Sequence, residues 1–220
     1  MILKINKALK EIRFGIIGTR SVLLQEVLDE LKIINYQILK NCEEISDEYD
    51  MVLMSGVHYI IPGEVLTRPT YGVFGFHETP LPEGRGFAPI YWTIKNGRPN
   101  FTISMYQADT DIDTGRLVCQ YNVPVLQTDT YASLSEKRGS GIQGAFRIFI
   151  EELENGIIVL REQTGLSTKS PKRKPEDSEL DTSKSLLDLW DDIRCCDNEN
   201  FPAFFTIDNK KILVKYEVVD

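Results

Sequence analysis

One of the chain's two histidines, His77, follows an apolar run, "YGVFGF" (71–76), and leads into a segment punctuated by proline and glycine, "ETPLPEGRG" (78–86). A histidine at a strand end titrates near neutrality and can donate to an oxygen that is gaining charge. Further along, "DTDIDTG" (109–115) carries Asp109, Asp111 and Asp113. A carboxylate against the second ring nitrogen would fix the tautomer of such a histidine and raise its basicity. Each feature also has a plainer reading: a core histidine satisfied by hydrogen bonds, and a solvated acidic turn. No metal site is expected, because the acidic loop lacks the downstream Glu of a calcium-binding pattern. "GIIGTRS" (15–21) resembles the opening of a nucleotide-binding turn. Its Gly15 and Gly18 supply only part of the three-glycine pattern, so a tight strand-to-helix turn is the better account.

These residues need a scaffold, and the apolar patterning describes one. "IRFGIIG" (12–18), "NYQILKN" (35–41), "YDMVLMSG" (49–56) and "YGVFGF" (71–76) read as four strands, and "SVLLQEVLDELK" (21–32) as a helix started by Ser21. Strands alternating with helices or long connections predict a parallel α/β sheet covered on both faces. Ligands of such sheets sit at the carboxyl ends of the strands, where His77 and the turn at Gly56 both fall. After the loop, "FAPIYWTIKNG" (87–97) reads as a helix ended by Gly97. Residues 100–108 and 115–125 read as a strand pair around the acidic loop. Residues 130–156 read as a long amphipathic helix broken near Gly139 and Gly141. A polar stretch at 165–183 reads as a linker, 183–196 as a helix and 203–218 as a hairpin.

Bulk composition narrows the function classes. The 33 acidic and 25 basic side chains leave a net charge of -8, which repels a polyphosphate backbone. The one basic cluster, "KSPKRKP" (169–175), reads as a solvated loop, so nucleic acid is not an expected partner. The N-terminal residues lack the apolar core of a signal peptide and no apolar run suits a membrane span, so a cytoplasmic protein is expected. Cys42, Cys119, Cys195 and Cys196 lack paired spacing and are read as reduced thiols.

The order of short motifs is more specific than any one of them. "FHETPLPEGRGFAPIYWTIKNG" followed by "FTISMYQADTDIDTGRLV" resembles the core of the folate-dependent formyltransferase family, related to methionyl-tRNA formyltransferase. That pattern runs Asn-x-His-x-Ser-x-Leu-Pro, then Arg-Gly, a helix with Pro-Ile-x-Trp, a strand, and Asp-x-Gly. His77, Thr79 in place of Ser, Leu81, Pro82, Arg85, Gly86, Pro89, Trp92, Asp113 and Gly115 match it in order. The match covers about residues 49 to 160.

The resemblance implies a Rossmann-like formyltransferase fold, a mostly parallel sheet with helices on both faces, plus a small C-terminal α+β extension. The implied domains are a catalytic domain at 1–164, a linker at 165–183 and a helix-hairpin extension at 184–220. The implied reaction moves a formyl group from N10-formyltetrahydrofolate to an amine, with His77 donating to the oxyanion and Asp113 orienting His77. The family's catalytic Asn falls at Gly75, which has no side chain to donate. By family position Tyr59, Ile60, Ile61, Leu66, Val73, Asp109, Thr110 and Asp111 line the folate site, and Thr79, Arg85 and Gly86 the substrate side. The tail resembles the compact extension of sugar N-formyltransferases, and the phosphate loop of purine-pathway relatives is replaced by "GTRSVL". The substrate expected is therefore an amino sugar, nucleotide-linked and used in surface polysaccharide synthesis, and a homodimer is a further expectation. A hydrolase that releases formate, or a folate- or sugar-nucleotide-binding protein without catalysis, remains open because of Gly75.

Overall fold

The computed structural model describes residues 1–219. Its first half contains β1 (Ile2–Lys4), β2 (Phe14–Ile17), α1 (Ser21–Glu30), β3 (Tyr36–Leu39), β4 (Met51–Met54), α2 (Gly63–Leu66), β5 (Val73–His77), β6 (Arg85–Gly86), α3 (Pro89–Lys95) and β7 (Asn100–Gln107). The second half contains β8 (Leu117–Pro124), α4 (Tyr131–Glu154), β9 (Ile157–Val159), β10 (Lys169–Ser170), α5 (Trp190–Arg194), β11 (Ala203–Ile207) and β12 (Lys210–Val214).

The main sheet has six strands in the order β3-β2-β4-β5-β7-β8. All four residues of β2 are buried, as a central strand covered on both faces requires. β3, β2, β4 and β5 pair in parallel. β7 runs antiparallel to β5, and β8 antiparallel to β7. The sheet is thus mostly parallel, as expected, with a reversal of direction at β7. The reversal matters for the site: it sets Gln107, at the end of β7, opposite Phe74 near the start of β5.

The larger core packs α1, α3, α4 and α5 on one face, with Phe74, Phe101, Ile103, Phe146 and Phe149 at its centre. The other face is covered more thinly. Ile61, Val65 and Leu66, in and before the short α2, close over Ile17, Val52 and Val73.

α4 runs unbroken through Gly139 and Gly141, against the break expected there. Its glycines serve close packing instead. A Cβ on Gly141 would lie 2.9 Å from Ile103 Cγ1, and one on Gly144 2.6 Å from the Tyr121 ring. Thr130 caps this helix by accepting the Ser133 N–H, and the Ser133 hydroxyl accepts the Thr130 N–H in return. The helix expected over 183–196 shrinks to Trp190–Arg194 because Leu186 and Leu187 are 74% and 84% exposed and bury no stripe. Residues 165–183, read as a linker, contain β10, which pairs in parallel with β6, and the buried Leu180 of the main core. β1 pairs with β9, a pairing that local patterning did not suggest. The hairpin at β11 and β12 turns through Asp208 and Asn209, both at positive φ as a two-residue turn demands.

Candidate active site

His77 is the last residue of β5, and its ring lies between two acceptors. Nδ1 is 3.3 Å from Asp113 Oδ2, and Nε2 is 3.0 Å from the Gly84 carbonyl oxygen. The Gly84 carbonyl is held in turn by its loop, whose Gly84 N–H donates to Thr168 Oγ1 at 2.8 Å.

Asp113 reaches His77 by an indirect route. The acidic loop leaves β7 beside Val73, where the Ala108 N–H donates to the Val73 carbonyl at 2.7 Å, and then folds back over the sheet face. Asp113 adopts a positive φ of 55°, and Gln163 Nε2 donates to its carbonyl at 2.9 Å. Its carboxylate accepts from the Gly86 N–H at 3.1 Å and from the Tyr106 hydroxyl at 3.0 Å. Gly86 is required there: its φ is 108°, and a Cβ would meet the Ser170 carbonyl oxygen at 2.8 Å. Burial, reinforced by Asp113, pushes the Tyr106 phenol well above its ordinary value, so it stays a neutral donor.

Glu78 is only 7% exposed, although it is next to His77. Arg20 Nη1 lies 3.3 Å from Oε1, and Arg138 Nε lies 3.1 Å from Oε2. Burial lowers the Arg20 pKa, and Glu78 offsets part of that cost. This triad joins the start of α1, the end of β5 and the first half of α4. Two guanidinium groups against one carboxylate leave a net positive charge on that wall.

These groups border a cavity of about 470 Å³. Of the expected site residues, Gly75, His77, Asp113, Tyr59, Ile60, Ile61, Leu66, Asp109, Asp111 and Gly86 line it. Met54, Val57, Ile61 and Leu66 supply apolar wall, while Tyr59, Ile60, Phe87 and Ile112 form a half-exposed apolar rim. Four expected residues do not line it. Val73 is 1% exposed in the smaller core beneath it. Thr110 sits outside, its methyl against Gly63. Thr79 borders a separate cavity of about 330 Å³ and donates to the Glu83 carbonyl at 2.7 Å. Arg85 turns away and donates to Gln163 Oε1 at 2.6 Å, steadying the side chain that holds Asp113. Arg20, Arg138, Tyr106 and Gln163 were not anticipated. No local motif marks them, because each meets the site across the sheet or from a distant helix. Among the described residues, no three His, Cys, Asp or Glu side chains converge as a metal ion would require.

The model of the formyl transferase family matches residues 23–141, more than half of the 220 residues. The chain belongs to the formyl transferase family. It is the folate-dependent family that the motifs from His77 to Gly115 resemble. Methionyl-tRNA formyltransferase of Thermodesulfovibrio yellowstonii is 28% identical over 184 residues, 83% of this chain and 58% of that protein. The chain thus spans little more than half the length of this curated relative. A sugar N-formyltransferase from Shewanella sp superposes with a TM-score of 0.72 at 17% identity, over 95% of this chain and 99% of that one. HypX from Aquifex aeolicus, in complex with tetrahydrofolic acid, superposes with a TM-score of 0.71 at 18% identity, over 92% of this chain and 37% of that one. At these identities the superpositions establish the shared formyltransferase fold, and the α/β sheet with its helices agrees with it.

Proposed function

We propose that this chain transfers a formyl group from N10-formyltetrahydrofolate to the primary amine of an amino sugar carried on a nucleotide. The observation that carries the proposal is the contact between His77 and Asp113 at the wall of a cavity with one apolar and one cationic side. The apolar wall of Met54, Val57, Ile61 and Leu66, facing the polar loop at Asp109 and Asp111, suits a flat heteroaromatic ring with donors and acceptors on its edge. Arg20 and Arg138 suit an anionic substituent on the amine-bearing substrate. The net charge of -8 disfavours transfer RNA, the substrate named for the curated relative, and favours a small molecule.

The folate supplies the formyl carbon. His77 Nε2–H turns from the Gly84 carbonyl, its partner in the free protein, and donates to the formyl oxygen as charge builds on it during attack by the uncharged amine. Asp113 holds the ring of His77 in place through this step. The bond from amine nitrogen to formyl carbon forms, and the His77–Asp113 pair takes the proton that the amine releases. The bond from that carbon to N10 then breaks, and the pair returns a proton to the leaving nitrogen. Glu78 is turned to Arg20 and Arg138 and takes no part in proton transfer.

The test is to incubate the protein with N10-formyltetrahydrofolate alone, with amino-sugar nucleotides, and with methionyl-tRNA. Formylated sugar formed only when the amine is present supports the proposal. Formate release without amine assigns a hydrolase, formylated tRNA assigns the curated relative's substrate, and tight binding without turnover assigns a binding protein.

A further inference from the structure

Gly75 and Tyr106 are directly paired across β5 and β7, so they face the same side of the sheet. A Cβ built on Gly75 would lie 3.0 Å from Met54 Cε and 3.3 Å from both Cζ and the hydroxyl oxygen of Tyr106. The phenol therefore stands where a side chain at 75 would begin. Its hydroxyl does not end in a void: it donates to Asp113 Oδ1 at 3.0 Å, while Oδ2 of the same carboxylate faces His77. Tyr106 also lines the cavity and is 8% exposed, so the ring has little room to move.

We propose that Tyr106, packed against the bare face of Gly75, is the positioning residue that fixes Asp113, and through it His77, for formyl transfer. The inference rests on the formyl-transfer reading of the site. In general terms, a carboxylate that must hold a histidine at one oxygen needs its other oxygen tied down, or it rotates. A phenol does this without adding charge beside the reacting carbon. A side chain at 75 would press on both the phenol and the Met54 methyl, and each would have to give by a few tenths of an ångström.

The experiment is a double-mutant cycle on Gly75→Asn and Tyr106→Ala, with Tyr106→Phe as the variant that keeps the ring. Tyr106→Phe should lower kcat ~10–100-fold, the loss of one hydrogen bond to a charged group, and leave the KM for folate unchanged. Gly75→Asn alone should lower both turnover and melting temperature. The Gly75→Asn/Tyr106→Ala double variant should melt above Gly75→Asn and turn over faster than Tyr106→Ala, because the amide then has room. A Tyr106→Phe variant as fast as wild type overturns the positioning role. A double variant that melts no higher than Gly75→Asn overturns the shared volume. An inactive wild type that the double variant makes active overturns the positioning role and leaves formyl transfer standing. Wild type and double variant both inactive, with no binding of tetrahydrofolate, overturn formyl transfer as well.

Discussion

Asp113 and Glu78 are both carboxylates on the wall of one cavity, and they are held in opposite ways. Asp113 accepts from a backbone N–H and a neutral phenol and faces the His77 ring. Glu78 lies between Arg20 and Arg138. The backbone N–H and the phenol hold the two oxygens of Asp113, which fixes the edge it turns to the His77 ring. Two guanidinium groups hold Glu78 as a brace between α1, β5 and α4, which gives it a structural task. Residues 77 and 78 are neighbours in the chain, yet one faces chemistry and the other cements three elements.

Removing the reacting side of this comparison should have the largest effect. His77→Ala should reduce single-turnover formyl transfer by ~10³-fold or more while calorimetry still detects folate binding. Asp113→Asn keeps the shape but replaces the acceptor that faces Nδ1, and should cost ~10²-fold in kcat. If Asp113→Asn is as fast as wild type, the distinction between the two carboxylates collapses.

The structural side should answer in stability. Glu78→Gln leaves two largely buried guanidinium groups facing each other without a countercharge. Chemical denaturation should report a loss of about 3 kcal/mol. Arg138→Met should instead raise the KM for an anionic amine substrate ~10-fold with a smaller change in kcat, an effect that fades with added salt. A kcat loss without a KM change would move Arg138 to the reacting side.

The smallest expected effect lies away from the cavity, at the start of α4. Burial pushes the Asp129 carboxyl up, but Lys137, the Leu126 N–H and Ser133 outweigh burial and hold it below its ordinary 3.8. Because the folded value is depressed, this stabilisation is present above about pH 4 and is lost as pH falls through the folded value. Asp129→Asn should therefore cost about 1 kcal/mol at pH 7 and flatten the acid limb of the stability curve, measured by urea melts from pH 7 to pH 3.

Much of the fold was legible because it is written in local patterning. The buried runs "FGII" and "MVLM" became β2 and β4, and the turn at Asp208 and Asn209 became a hairpin. The glycines of α4 misled, since a glycine looks alike in sequence whether it breaks a helix or lets Tyr121 approach it. Arg85 was placed on the substrate side by its motif, yet its guanidinium serves Gln163, a residue with no motif at all.

By itself the sequence determined the family, the strand that ends in His77, and the pairing of His77 with Asp113, because spaced motifs fix which elements carry which side chains. The tertiary structure alone decided how that pair is held. Antiparallel pairing of β7 against β5 sets Tyr106 over Gly75, and the folded-back loop brings Asp113 onto Tyr106 and His77. The packing of α4 brings Arg138 to Glu78. These contacts join residues far apart in the chain, and their partners are chosen by sheet register and helix packing, which no local stretch of residues encodes.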